Sequence, residues 1–139
     1  MKRFKQFITE EKQVGIVYYY TSIADAGYIL RKNILKTIKD HIHFSRDAFH
    51  YESPCRLVID GTKLSQKYKI EPKESDEIVC RCSIANINHY VLKLEIVDSK
   101  LVDVTIKKQG KYIVNEIPFY SIEEIVDYFN NFTETQVIK

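Results

Sequence analysis

The chain of 139 residues carries 21 Lys and Arg against 19 Asp and Glu, with 45% hydrophobic and 29% charged residues. That length and apolar content suit a single domain (1–139) that buries a core without disulfides or metals, and they exclude intrinsic disorder. A formal charge of +2 offers no electrostatic case for a dedicated nucleic-acid or membrane-surface binder.

The opening MKRFKQFITEEK has Phe4, Phe7 and Ile8 at helical spacing. It lacks the continuous apolar run of a secretory signal, and no later stretch has the length that spans a bilayer. Three cysteines, Cys55, Cys80 and Cys82, are an odd number and point to reduced thiols in a cytoplasmic setting. The NFT triplet at Asn131 matches a glycosylation sequon, which carries no meaning without secretion.

VGIVYYY is rich in β-branched and aromatic residues and reads as a strand. Alternation then puts Tyr18 and Tyr20 on one face and Tyr19 on the other. Thr21 or Ser22 caps a helix that follows, with Asp25 in its first turn and Ile23, Ala26, Gly27 and Leu30 as its buried stripe. NILKTIKDHIHFSRD reads as a turn, a short extended piece and a strand ending at Ser45–Arg46. CRLVIDGTKLSQKYKI holds a strand at 56–59, closed by the turn pair Asp60-Gly61, and then a helical turn over 62–66. EPKESDE reads as a polar loop around Pro72, and IVCRCSI as a strand. The segment from Val91 to Ile117 is a hairpin or meander with turns near Asp98–Ser99 and Gln109–Gly110. SIEEIVDYFNNF is an amphipathic helix expected at the periphery, with Ser121 and Glu124 as a capping box and Ile122, Ile125, Val126 and Phe129 as its apolar face. The expected core is Val17, Ile23, Ile29, Leu30, Leu57, Ile59, Val79, Leu92, Leu94, Ile96, Val104, Ile125 and Phe129.

With four glycines in total the chain has no phosphate-cradling loop and no dinucleotide fingerprint. His41 and His43 sit two apart, as a possible ligand pair or as polar positions on a half-exposed strand. Cys80 and Cys82 are expected to alternate across their strand, which keeps both thiols from one metal. Cys55 opens a strand that reads as core and has no nucleophile signature. Polar and aromatic triplets remain at strand ends: Tyr19, Tyr20 and Thr21; Ser45, Arg46 and Asp47; Ser75, Asp76 and Glu77.

Their order along the chain resembles small ADP-ribosyltransferase-like proteins of phage and toxin origin. In that family the first strand reads aromatic-His-Tyr/Gly-Thr-Ser and runs into a helix; VYYYTSIADAGYILRKNIL is similar, with Tyr19 where the His stands. IHFSRD resembles the second motif, and SDEIVC offers Glu77 as the acidic third element with Ser75 as its polar partner. CRLVIDGTKLSQKYKI and MKRFKQFITE are also similar to segments of phage and virion-associated proteins. The resemblance implies a split antiparallel β-sandwich with flanking helices, of α+β class, and NAD as the substrate without a metal. It implies Glu77 as the catalytic carboxylate beside an oxocarbenium-like transition state, with Tyr19, Tyr20, Thr21, Ser45 and Arg46 as NAD-binding residues. Tyr20 would stack on the nicotinamide, and Arg46 would pair with the pyrophosphate. Arg46 paired to Asp47 or Asp60 and a solvated Glu77 are the plain alternatives. The implied targets are a host protein or nucleic acid in the bacterial cytoplasm, with no membrane. An inactive relative that binds a host defence protein or serves in the virion is the other reading, and ten tyrosines without tryptophan favour contact surface.

Overall fold

In the computed structural model, which describes residues 14–48, 53–74, 76–101, 106–108, 111–114 and 117–139, the run IVYYYT forms strand β1 (Ile16–Thr21). The later strands are β2 (Ile34–Leu35), β3 (Ile42–Ser45), β4 (Cys55–Asp60), β5 (Ile70–Glu74), β6 (Glu77–Cys80), β7 (Ile84–Ala85), β8 (Val91–Val97), β9 (Ile106–Lys108), β10 (Lys111–Val114), β11 (Ile117–Phe119) and β12 (Thr135–Ile138). The helices are α1 (Ile23–Lys32), α2 (Gly61–Ser65) and α3 (Ile122–Asn130).

Seven strands form one sheet in the order β12-β8-β4-β1-β3-β6-β5, beside a three-stranded sheet β11-β10-β9 and a two-stranded β2-β7 ribbon. Only β12 on β8 runs parallel among these pairs; the others are antiparallel. The molecule is therefore α+β with a mostly antiparallel sheet.

One face of the large sheet carries Val17, Phe44, Leu57, Ile59, Ile78, Leu94 and Ile96, all buried. Helix α1 adds Ile23, Ala26, Ile29 and Leu30 to the same core, and α3 adds Ile125 and Phe129, so α3 belongs to the core as well as to the rim. Each such Leu, Ile or Phe contributes about 1.5–3 kcal/mol by leaving water. The sequence signal at the start of α1 is used, with Ser22 rather than Thr21 as the cap. Ser22 accepts a hydrogen bond from the Asp25 N–H at 3.1 Å, and Asn33 ends the helix in the left-handed region at φ 58°. Ser121 caps α3 in the same way at 3.3 Å, while the Glu124 carboxylate reaches back to the Tyr120 N–H at 2.7 Å.

Three expectations are corrected, and one strand is added. Leu92 is 48% exposed rather than core, beside a register shift in the β4–β8 ladder at Val58/Ile59 that breaks simple alternation. The EPKESDE loop is largely strand β5, on the sheet edge, where Pro72 lacks no ladder partner because its missing N–H side can face solvent. Asp60-Gly61 is the start of α2 rather than a turn: the Asp60 carboxylate accepts from the Lys63 N–H at 3.0 Å. Strand β12, which pairs Val137 with Ile96, was absent from the sequence reading. The opening segment 1–13 and Val104 lie outside the described residues.

Candidate ligand-binding groove

Alternation on β1 sorts the three tyrosines as expected. Tyr18 and Tyr20 face Arg56, whose guanidinium carbon lies 4.2 Å and 5.8 Å from their ring centroids. Tyr19 takes the opposite face, where its ring packs edge-on against Phe44 at 6.0 Å. Burial, followed by the charge of Asp25, holds the Tyr19 phenol above its ordinary pKa. Thr21 shares that face, is buried, and accepts a hydrogen bond from Cys55 Sγ at 3.2 Å through its carbonyl.

The register Tyr18↔Ser45↔Glu77 runs straight across three strands, so Ser45 and Glu77 stand on the Tyr18/Tyr20 face. Five of the six residues read from the sequence are thus divided by the sheet, Tyr20, Ser45 and Glu77 on one side and Tyr19 and Thr21 on the other, while Arg46 lies just past the end of β3. Ser45 Oγ accepts from the Asp47 N–H at 3.0 Å and shapes the turn after β3. Arg46 donates its side chain to the Val14 carbonyl at 3.1 Å and its N–H to the Asp76 carbonyl at 2.8 Å, rather than pairing as read with Asp47 or Asp60 in these contacts. Glu77 is not simply solvated: its carboxylate holds His43 Nδ1 at 2.5 Å. Ser75, the expected partner of Glu77, lies outside the described residues.

Strands β1 and β3 share the single register pair Tyr18↔Ser45 and separate beyond it. Their parting opens a groove of about 360 Å³ lined by Tyr19, Tyr20, Ile38, Lys39, His41, Ile42 and His43. Both tyrosines reach it although they belong to opposite faces, because the groove occupies the gap between strands. A smaller hollow of about 110 Å³ adjoins it through His41, with Glu71, Pro72, Lys73, Val79 and Arg81 as its other walls. The His41 and His43 rings meet edge-on at 4.3 Å. Among the described residues, no group of three His, Cys, Asp or Glu side chains could hold a metal ion. Among them, too, no helix is long and apolar enough to cross a membrane.

Sequence reasoning missed a buried ion pair. Arg56 and Glu95, 4% and 6% exposed, meet at 2.6 Å on the face of Tyr18 and Tyr20. Arg56 Nη1 also donates to the Tyr20 hydroxyl and to the Ala48 carbonyl, each at 3.0 Å, and Tyr20 donates onward to the Asp47 carbonyl at 3.1 Å. Burial works against the Arg56 charge, but its hydrogen bonds to Tyr20 and Glu95 outweigh this and hold the guanidinium above its ordinary pKa. The signal was present only as two opposite charges in otherwise apolar strands, Arg56 in CRLVID and Glu95 in VLKLEIV, which become direct neighbours in the β4–β8 register.

The cysteine expectation is also corrected. Strand β6 ends at Cys80 and Cys82 lies in the bend beyond it, where the two Sγ atoms come within 3.9 Å of each other, with Cys80 buried and Cys82 exposed. Neither a protein-family model nor a curated protein matches the chain.

Proposed function

We propose that this protein is an ADP-ribosyltransferase-like protein of phage type, on a split-sandwich variant of its α+β fold, that takes NAD in the β1–β3 groove and modifies a host macromolecule. One observation carries this reading: Tyr19 and Tyr20 line a groove together with His43, which is held by Glu77. The groove volume lies near the lower end of the roughly 300–1,000 Å³ usual for small-ligand sites, which suits the nicotinamide–ribose half of NAD. In this reading a tyrosine ring walls the nicotinamide, and Glu77 stabilises positive charge developing on the ribose. Calorimetric titration with NAD, with nicotinamide release as the second readout, tests the proposal; absence of both heat and release rejects it.

A second reading, a binding protein without catalysis, is favoured by the engagement of Arg46 with the Val14 carbonyl, which takes its guanidinium from a pyrophosphate. Tyr19 in the position of the family's His points the same way. Capture from host lysate by wild type and by Glu77→Ala separates the two. Capture and biological effect unchanged in Glu77→Ala support binding, and loss of the effect supports catalysis.

A further inference from the structure

We infer that His43, oriented by Glu77, is the proton acceptor of this site and that the group it activates is a hydroxyl. The inference rests on the NAD reading above and goes beyond it by assigning the acceptor chemistry. His43 lines the groove and is 43% exposed on its side chain, so a substrate can reach it. Its Nδ1 is 2.5 Å from Glu77 Oε1. In a neutral imidazole so held, Nδ1 carries the proton donated to the carboxylate, and Nε2 carries the lone pair. A carboxylate that fixes the tautomer and supports the imidazolium formed on proton uptake is what a general base needs. The neighbouring groups fit this use. The His41 ring packs edge-on against His43, Lys39 lies in the same groove, and Glu71 and Arg81 lie beyond His41.

The need for a base narrows the acceptor to groups that shed a proton as they attack, a hydroxyl among them. A carboxylate acceptor is already ionised at neutral pH and has no proton to lose, whereas a hydroxyl must give one up as it attacks. In the step, the bond between C1′ of the ribose and the nicotinamide nitrogen breaks, and its electron pair stays on that nitrogen, leaving neutral nicotinamide. The acceptor oxygen forms the new bond to C1′, and its proton passes to His43 Nε2 and then to solvent. One NAD and one hydroxyl compound give the O-glycoside of ADP-ribose (ADP-ribose itself when the hydroxyl is water), nicotinamide and one proton. Water serves as the simplest hydroxyl.

The test measures nicotinamide release from NAD by wild type, His43→Gln, His43→Asn and Glu77→Gln, with water as acceptor and then with added azide, an anionic nucleophile that has no proton to lose. NAD affinity is measured for each by calorimetry, and thermal melts confirm the fold. The expected result is a fall in kcat of about 10²-fold or more for both His43 variants, far larger than any change in KM or NAD affinity, and recovery of their turnover by azide. Glu77→Gln is expected to stay slow in azide, because its carboxylate also serves the ribose. Wild-type kcat in both His43 variants, or a loss that azide does not restore, overturns the role of His43 and leaves the NAD reading standing. A wild-type protein that fails to bind NAD, or binds it without turnover, overturns the enzymatic reading and this inference together.

Discussion

Arg56 has lost nearly all of its water, and its charge is held by Glu95, the Tyr20 hydroxyl, the Ala48 carbonyl and the face of the Tyr18 ring. Removing one member of such a pair leaves the other buried and uncompensated. Arg56→Ala should therefore cost about 3–5 kcal/mol in urea denaturation, whereas replacing both members, as in Arg56→Met with Glu95→Leu, should cost far less. A difference of less than 1 kcal/mol between the single and double variants, on the order of experimental scatter, rejects the coupling. A second prediction concerns protons. Burial, then the charge of Asp25, raises the pKa of both the Cys55 thiol and the Tyr19 phenol. Both groups stay protonated in the folded protein at pH values where the unfolded chain releases their protons. Stability from these groups is intact below the ordinary thiol value of 9.0 and is lost as pH rises above it. The urea midpoint should fall between pH 8.5 and about pH 10.5, and Cys55→Ala should flatten that fall. Of this residue-level detail the sequence disclosed the tyrosine alternation, because period two is local. It concealed the Arg56–Glu95 pair and the His43–Glu77 pair, because each is made by strands that only the fold brings side by side.

Close approach decides the behaviour of α2. A Cβ built on Gly61 would come within 2.6 Å of the Gly15 carbonyl oxygen and 3.0 Å of a Val14 methyl, so the start of α2 sits directly on the start of β1. Backbone cannot yield as a flexible side chain does. Gly61→Ala should lower stability by about 1–3 kcal/mol, read as a fall in Tm, and a melt at the wild-type temperature would remove this contact from the account. The elements that were legible share a feature: their signals are short-range. Ser22 with Asp25 and Ser121 with Glu124 mark helix starts within a few residues, and both helices begin there. The elements that were misread depend on partners. Strand β5 contains a proline and becomes a strand because β6 lies beside it, and TQVI becomes β12 because β8 offers an edge. Leu92 was misassigned for a related reason, since the register shift opposite it cannot be seen in β8 alone.

At the scale of the whole molecule, β12 closes one edge of the large sheet. It pairs along β8 from Thr135↔Leu94 to Ile138↔Val97, and Lys93 Nζ meets Gln136 Oε1 at 2.9 Å. Without residues 135–139 the backbone groups of β8 on that side lose their partners and present a template for a second chain. The shortened protein should elute as larger species with rising concentration in size-exclusion chromatography, while full-length protein keeps one elution volume over the same range. Unchanged behaviour of the shortened chain would show that β12 does not guard the edge.

The strand order has a consequence for how the chain is made. Strands β1, β3, β4, β5 and β6 form the contiguous block β4-β1-β3-β6-β5, and all of them precede Arg81 in the sequence. Synthesis then adds β8 to the open side of β4, and β12 to the open side of β8. Within the block, β6 is made after both of its neighbours and joins β3 as the second strand of the β5–β6 hairpin, whereas the later strands β8 and β12 only extend the sheet outward. The β1–β3 groove belongs wholly to the early block, so its walls are in place while the guarding strand is still unmade. The exposed interval of this chain's birth is the span between the pairing of β8 and the release of residues 135–138 from the ribosome.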